Sequence, residues 1–301
     1  MIRYERCPVC NSTHIQKVLT AIDHTVSSES FSIWQCAHCS LRMTQDVPLP
    51  NDIGKYYKSE DYISHSETSK GLINWLYLKV RRYTLQAKRN LVQEECGIKQ
   101  GAILDVGAGA GAFLHHMKQH GWRTEGLEPD PAAIERAKKE YGLNLQTSDK
   151  LFAIEGATFD AITMWHVLEH VHDLNEYIGH LKKICKPGGR IFIAVPNYTS
   201  FDAIHYDASW AAYDVPRHLY HFSPASMNEL MKKHGCVIKK MKPMWFDSFY
   251  VSLLSEKYKG GRLNFINGCW YGLRSNLKAL SNRRRASSLI YVIDPHGQLP
   301  A

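Results

Sequence analysis

Ile103-Leu104-Asp105-Val106-Gly107-Ala108-Gly109-Ala110-Gly111-Ala112-Phe113-Leu114 is the stretch on which the reading of this chain turns. The apolar run from Ala102 to Val106 suits a central parallel strand, covered on both faces. Gly107, Gly109 and Gly111 then alternate. They let the backbone turn sharply and let a ligand approach with no Cβ in the way. A helix beginning near residue 110 points its first N–H groups into that bend, a place that favours anionic or polar ligand atoms. Gly107, Gly109 and Ala112 also satisfy the relaxed G-x-G-x-x-G/A pattern of dinucleotide sites, a weak signal by itself.

Downstream, strand-like and helix-like segments alternate. Strands are expected at 102–106, 123–127, 143–147, 159–164, 190–195 and 237–242, with a last one at 286–293. Helices are expected at 110–120, 131–141, 173–185 and 223–234. Asp173 and Glu176 have capping-box spacing on the third helix, and Pro187-Gly188-Gly189 ends it. This order predicts an α/β fold, a Rossmann-like sheet with right-handed crossovers and a ligand site beyond the carboxyl ends of the strands. Residues 246–285 look helical and aromatic. They read either as an insertion over the substrate side or as a plain helical addition.

Upstream, Cys7-Pro8-Val9-Cys10 and Cys36-Ala37-His38-Cys39 form two Cys-x-x-Cys knuckles. That spacing predicts a tetrahedral four-thiolate zinc site, structural because no position stays open for chemistry. A segment of this size buries too little surface to fold alone, and a metal supplies the missing free energy. Cys96, Cys185, Cys236 and Cys269 stand singly in apolar contexts and read as small core residues. Residues 46–70, with Tyr56, Tyr57, Tyr62 and His65, read as a connector whose tyrosines line a ligand site or a surface turn. Residues 71–96 have helical apolar spacing. The expected division is a zinc-ribbon-like domain at 1–45, a connector and helical lid at 46–97, and the α/β domain at 98–301.

No apolar run approaches the roughly 20 residues that span a membrane, and no signal-peptide core follows Met1, so a cytoplasmic location is expected. The formal charge of +8 permits an anionic partner. Its basic clusters, Lys79 to Arg89 and Arg274 to Arg285, read as solvated helix faces ahead of a nucleic-acid or membrane footprint.

Over residues 98–245 the chain resembles the class I S-adenosylmethionine-dependent methyltransferases. The resemblance rests on Asp105-Val106-Gly107-Ala108-Gly109-Ala110-Gly111 and on Glu128 at the end of the second strand. It rests also on Phe159-Asp160-Ala161-Ile162 with His166-Val167-Leu168-Glu169-His170, and on Lys186-Pro187-Gly188-Gly189. It implies a seven-stranded sheet whose last strand is antiparallel, lying beside the sixth. It implies that Gly107, Ala108, Gly109 and Gly111 face the methionine part of the cofactor, with Asp105 orienting the loop. Glu128, next to Pro129, would hold the ribose, Asp149 would meet the adenine, and Trp165 and His166 would flank the sulfonium. The first 65 residues resemble the zinc-binding domain of some deoxysugar C-methyltransferases; the large C-terminal domain of those enzymes has no counterpart, which argues against a nucleotide-sugar acceptor.

Methyl transfer needs alignment of acceptor and methyl, and a base where the acceptor holds a proton. His218 is the first candidate, from Asp214-Val215-Pro216-Arg217-His218-Leu219-Tyr220-His221; His166, His170 and His221 are the others. His166 and His170 with Glu169 are also a candidate set for a divalent metal. Arg217 is expected to bind an anionic acceptor group or to pair with Asp214. The expected acceptor is a small molecule such as a sugar, lipid or secondary metabolite. The alternatives are an RNA or protein acceptor, a degenerate binding module, and a nicotinamide-dependent dehydrogenase. Against the last stand Asp105, the His166–His170 segment and the Lys186–Gly189 turn. No Asn/Asp-Pro-Pro-Tyr-type motif follows the fourth strand, so a nucleic-acid partner is not expected.

Overall fold

The structure, a computed structural model, describes residues 1–57 and 72–298. Tyr62, Ser64 and His65 lie outside the described residues. Six strands form the main sheet: β4 (Ala102–Val106), β5 (Arg123–Leu127), β6 (Phe159–Trp165), β7 (Cys185–Pro196), β9 (Val237–Pro243) and β10 (Ser288–Asp294). Their order is β5-β4-β6-β7-β10-β9, and β10 runs antiparallel to both neighbours. Every residue of β4 is buried, as its apolar run requires. The third expected strand is reduced to one parallel bridge, Leu127 to Gln146, at the outer edge beside β5. Gln146 still donates to Gly126 O and accepts from Glu128 N there, so the position in the order is filled without a full ladder.

Helices cover both faces. α1 (Leu72–Cys96), α2 (Ala112–Gln119) and α3 (Pro131–Tyr141) lie on one side. There Val92, Phe113, Met117 and Ala137 pack on Ile103, Ala161, Phe192 and Val292. α4 (Leu174–Ile184) and α6 (Pro224–Lys233), separated in the chain by the short α5 (Phe201–Tyr206), lie on the other, where Ile178, Leu181 and Leu230 meet Leu104, Ile162, Ile193 and Tyr291. Successive strand residues thus feed opposite cores, the period-2 consequence of the pleat.

Three local expectations change. Asp173 makes no side-chain cap on α4. The reciprocal cap is instead at α6, where Ser223 accepts from Ser226 N and Ser226 Oγ accepts from Ser223 N. Pro187-Gly188-Gly189 does not end α4, because the helix stops at Ile184 and β7 has already begun at Cys185. Cys269 is exposed on α8 (Phe265–Ser281), not in a core.

A second sheet joins β1 (Ile15–Ile22), β2 (Ser30–Cys36) and β3 (Arg42–Thr44) to β8 (Tyr220–His221). Its fourth strand therefore comes from the loop after β7, nearly 180 residues away from β3 in the chain. The insertion is a pair of helices, α7 (Asp247–Gly260) and α8. Gly268 and Gly272 let them meet closely: an added Cβ would lie 2.9 Å from the Cα of Leu253 or of Phe249.

Candidate active site and thiolate centre

The carboxyl ends of β4, β5 and β6 meet at one edge. Gly107 and Ala108 donate their N–H groups to Leu127 O, which ties the glycine loop to β5. Gly107, Gly109 and Gly111 all have positive φ. A Cβ at Gly107 would strike Val167, 2.3 Å away, and one at Gly111 would strike Leu143 at 2.7 Å, whereas one at Gly109 would meet nothing within 4 Å. The loop is closely packed behind and open in front, as a cradle for a ligand must be. Gly111 caps α2 from a left-handed conformation, so the helix turns its first N–H groups toward the loop.

Glu128 accepts the N–H of Gly109 (2.7 Å) and of Asp130 (3.0 Å). Each of its oxygens keeps a second lone pair for a hydroxyl. Burial holds its carboxyl above the usual range. Pro129 is exposed beside it. Asp149 is exposed, 3.5 Å from Lys150. Asp105 touches β6 and not the loop: Thr163 Oγ1 donates to it at 2.5 Å, and burial pushes its carboxyl up to about 7. Trp165 has a buried indole N–H with no partner. Its ring lies between Phe113, edge-on at 5.5 Å, and Lys88 Nζ, 4.1 Å from the ring centroid. Its place in a basic cluster predicts Lys88 on a solvated helix face. It instead points inward, where burial lowers its pKa and Asp105 and Asp247 oppose that. Helical spacing alone could have flagged it, since it falls one turn from the buried Leu91 and Val92.

The turn after β6 carries the histidines. His166 has φ +58°, and its N–H donates to Ala194 O on β7. Its Nε2 lies 3.0 Å from Asp247 Oδ2 and its Nδ1 3.5 Å from Glu169 Oε1. Burial pushes its pKa down, but the two carboxylates outweigh burial and hold it up, to about 10. It is an imidazolium at neutral pH, with no lone pair for a proton. His170 donates from Nδ1 to Arg217 O (3.1 Å) and faces Tyr57 Oη at 3.0 Å. Burial, then the neighbouring His218, push its pKa down to about 4. His218 donates from Nδ1 to Ala212 O (2.9 Å), and the rings of His170 and His218 meet edge to face at 4.5 Å. His221 is elsewhere, with Nε2 3.1 Å from Thr44 Oγ1 inside the second sheet. Leu219 N donates to Glu169 O, fixing the 214–219 loop to the turn after β6.

Arg217 is closed to any acceptor. It is fully buried and donates to Asp214 (3.0 and 2.6 Å), Asp23 (3.0 Å), Tyr56 O (2.7 Å) and Thr25 Oγ1 (3.1 Å). Asp247 and Lys88 are the residues that the sequence did not place at the site, whereas Glu169 stood there only in the candidate metal set with His166 and His170. Asp247 had no motif to betray it.

The four knuckle cysteines converge. Their Sγ atoms lie within 4.8 Å of one another, with Cys7–Cys39 at 3.4 Å and Cys10–Cys36 at 3.5 Å. Zinc–sulfur bonds of about 2.3 Å in a tetrahedron separate sulfurs by about 3.8 Å, so the set fits zinc. All eight cysteines are free thiols. Asn11 and Ser40, both at positive φ, close the knuckles by donating N–H to Cys7 O and Cys36 O.

The topology, glycine loop and acidic residue after β5 define a class I S-adenosylmethionine-dependent methyltransferase fold. A family model described as a methyltransferase domain matches residues 77–240, more than half of the chain, and the chain belongs to that family. Among curated relatives, the ubiquinone biosynthesis O-methyltransferase of Saccharophagus degradans is 31% identical over 117 residues, 36% of this chain and 50% of that protein. That of Methylocella silvestris is 35% identical over 103 residues, 32% of this chain and 40% of that protein. The chain thus spans about half the length of these relatives. A 1,6-didemethyltoxoflavin-N1-methyltransferase structure from Burkholderia thailandensis aligns with 91% of this chain and 98% of its own, at 14% identity and a TM-score of 0.48. Streptomyces venezuelae DesVI aligns over 36% of this chain and 48% of its own, at 21% identity and a TM-score of 0.33. Among the described residues, no helix is long and apolar enough to cross a membrane.

Proposed function

We propose that this chain transfers the methyl group of S-adenosylmethionine to a hydroxyl oxygen of a small organic acceptor. The observation that carries this reading is one shared edge: the open glycine cradle with Glu128 packs at Gly107 against Val167 of the turn that carries His170, and the loop that carries His218 is tied to that turn. When bound, S-adenosylmethionine supplies a methyl carbon on a positively charged sulfur that leaves with the C–S electron pair. Gly107 to Gly111 and Glu128 hold the donor, and Trp165 and the His166 turn bound it toward β6. Asp149, exposed in the segment that follows the Leu127–Gln146 bridge, meets the adenine. His166 stays protonated and orients Glu169 and Asp247 by its charge. The acceptor oxygen docks against His170 and His218, whose Nδ1 protons are committed to carbonyls and whose Nε2 lone pairs face away from them. Similarity to ubiquinone biosynthesis O-methyltransferases supports oxygen as the acceptor atom. The four-cysteine set holds a structural zinc that braces β1–β3.

Calorimetry with S-adenosylmethionine tests the donor site. Wild type is expected to bind, and Glu128→Ala to bind at least about 10-fold more weakly, the loss of one charge-assisted contact. Labelled methyl transfer is then followed across phenols, sugars and lipids, with RNA and protein beside them. Incorporation confined to RNA or protein overturns the small-molecule reading, and no binding by wild type overturns the whole.

A further inference from the structure

The turn after β6 and the loop after β7 bring together a second donor set, apart from the four cysteines. A Glu169 carboxylate oxygen and one ring nitrogen each of His170 and His218 lie within 4.8 Å of one another. Glu169 is fully buried, yet neither of its oxygens has a hydrogen-bond partner. A carboxylate out of water needs its charge met at close range. His166 meets it only at 3.5 Å and sits closer to Asp247. The nearby Asp214 carboxylate, 3.9 Å from His218 Nε2, is already engaged by Arg217.

Both imidazoles are held by carbonyls through Nδ1. His170 and His218 donate from Nδ1 to the carbonyls of Arg217 and Ala212. A carbonyl only accepts, so each ring carries a proton on Nδ1 and, when neutral, keeps its lone pair on Nε2; Tyr57 Oη also lies 3.0 Å from His170 Nδ1. Metal-bound histidines are anchored in this way through the nitrogen that does not bind. Two imidazoles and a carboxylate on one side also leave coordination positions for substrate or water, and the nitrogen donors favour a first-row transition ion over magnesium or calcium.

The geometry points to Glu169, His170 and His218 as the ligands of a divalent transition-metal cation that binds the acceptor oxygen. His218, and not His166, completes the set with Glu169 and His170. The inference deepens the oxygen-methylation reading and rests on it for the acceptor. The cation stabilises the deprotonated oxygen as it does metal-bound hydroxide, and the hydroxyl proton passes to solvent. Acceptors with two neighbouring oxygens, able to chelate the open positions, are the preferred class.

Mn²⁺ is the probe, because it discriminates against the thiolate set. The full chain, with zinc already on its cysteines, is titrated with Mn²⁺ and the free ion is followed by electron paramagnetic resonance. One Mn²⁺ per chain is expected, weakened at least about 10-fold in Glu169→Gln and in His218→Ala and retained in Cys10→Ser. Calorimetry with S-adenosylmethionine on the same variants reports whether each is folded; His170→Ala serves if one is not. No Mn²⁺ bound by zinc-loaded wild type, or equal binding by folded variants, overturns the inference. Mn²⁺ binding without S-adenosylmethionine binding leaves the metal site standing and removes the methyltransferase reading, so the two failures are distinct.

Discussion

Arg217 joins two parts of the chain that a linear reading separates. Its partner Asp214 is three residues away, and the sequence offered that pairing as one of two options. Its partner Asp23 is 194 residues away and no spacing rule reaches it. The guanidinium fork serves both carboxylates and a carbonyl at once, which a lysine cannot do. Arg217→Met leaves Asp23 and Asp214 buried without their counter-charge. It is expected to cost about 3–5 kcal/mol in urea unfolding, and Arg217→Lys to recover only part. An unchanged midpoint for Arg217→Met would show the two carboxylates find other partners. The same contrast holds in the site. Gly107, Gly109, Glu128 and Trp165 announce themselves by local pattern, whereas Asp247 reaches His166 only through the folded insertion.

Strands and helices were the most legible level. β4 and α3 have the bounds that apolar runs, Pro131 and Gly142 imply. The third strand was not, because an edge segment pairs on one side only and here makes a single bridge. The Lys186–Gly189 turn also misled, since its glycines sit within a strand that pairs with β6 from its start: Cys185 opposes Phe159. The pin at that corner is Asp160, which accepts Ala102 N (2.8 Å) and Lys186 Nζ (2.9 Å) and so ties β4, β6 and β7. Burial raises its pKa, but these donors outweigh burial and lower it overall. A depressed carboxyl stabilises the fold above its unfolded pKa of about 3.9 and loses that contribution as pH falls through the folded value. Asp160→Asn is therefore expected to cost roughly 1 kcal/mol at pH 7 and progressively less below pH 4, measured by urea unfolding at both pH values. An equal cost at pH 3 would assign the effect to shape and not charge.

At the scale of the molecule, the expected N-terminal unit of 45 residues does not close on itself. Cys7, Cys36, Leu41 and Met43 pack in the same core as Leu104, Ile162 and Leu230. Asn175 and Lys233, from the helix face of the large sheet, both donate to Pro8 O. Thr44 donates its N–H to Leu219 O and its hydroxyl to His218 O, so the thiolate segment buttresses the loop that carries His218. With zinc on the four cysteines, as proposed, stripping it with a chelator is expected to lower Tm and to speed amide exchange at 218–222 as well as at the knuckles. Exchange confined to residues 1–45 would mean that the segment moves independently of the loop. Such coupling escapes sequence reasoning because two-residue β8 is too short to carry any alternating pattern.

The borrowed strand also bears on how such a protein can be inherited or rebuilt. A fusion that moved residues 1–57 alone onto another methyltransferase would leave β3 as an open edge, its backbone donors and acceptors free to recruit a foreign strand. The host would need its own equivalent of Tyr220-His221 in register with Arg42 and Met43. Natural exchange of this segment by recombination thus requires two distant pieces of gene to travel together, and a graft made at the linear boundary should yield aggregates, not a chimera.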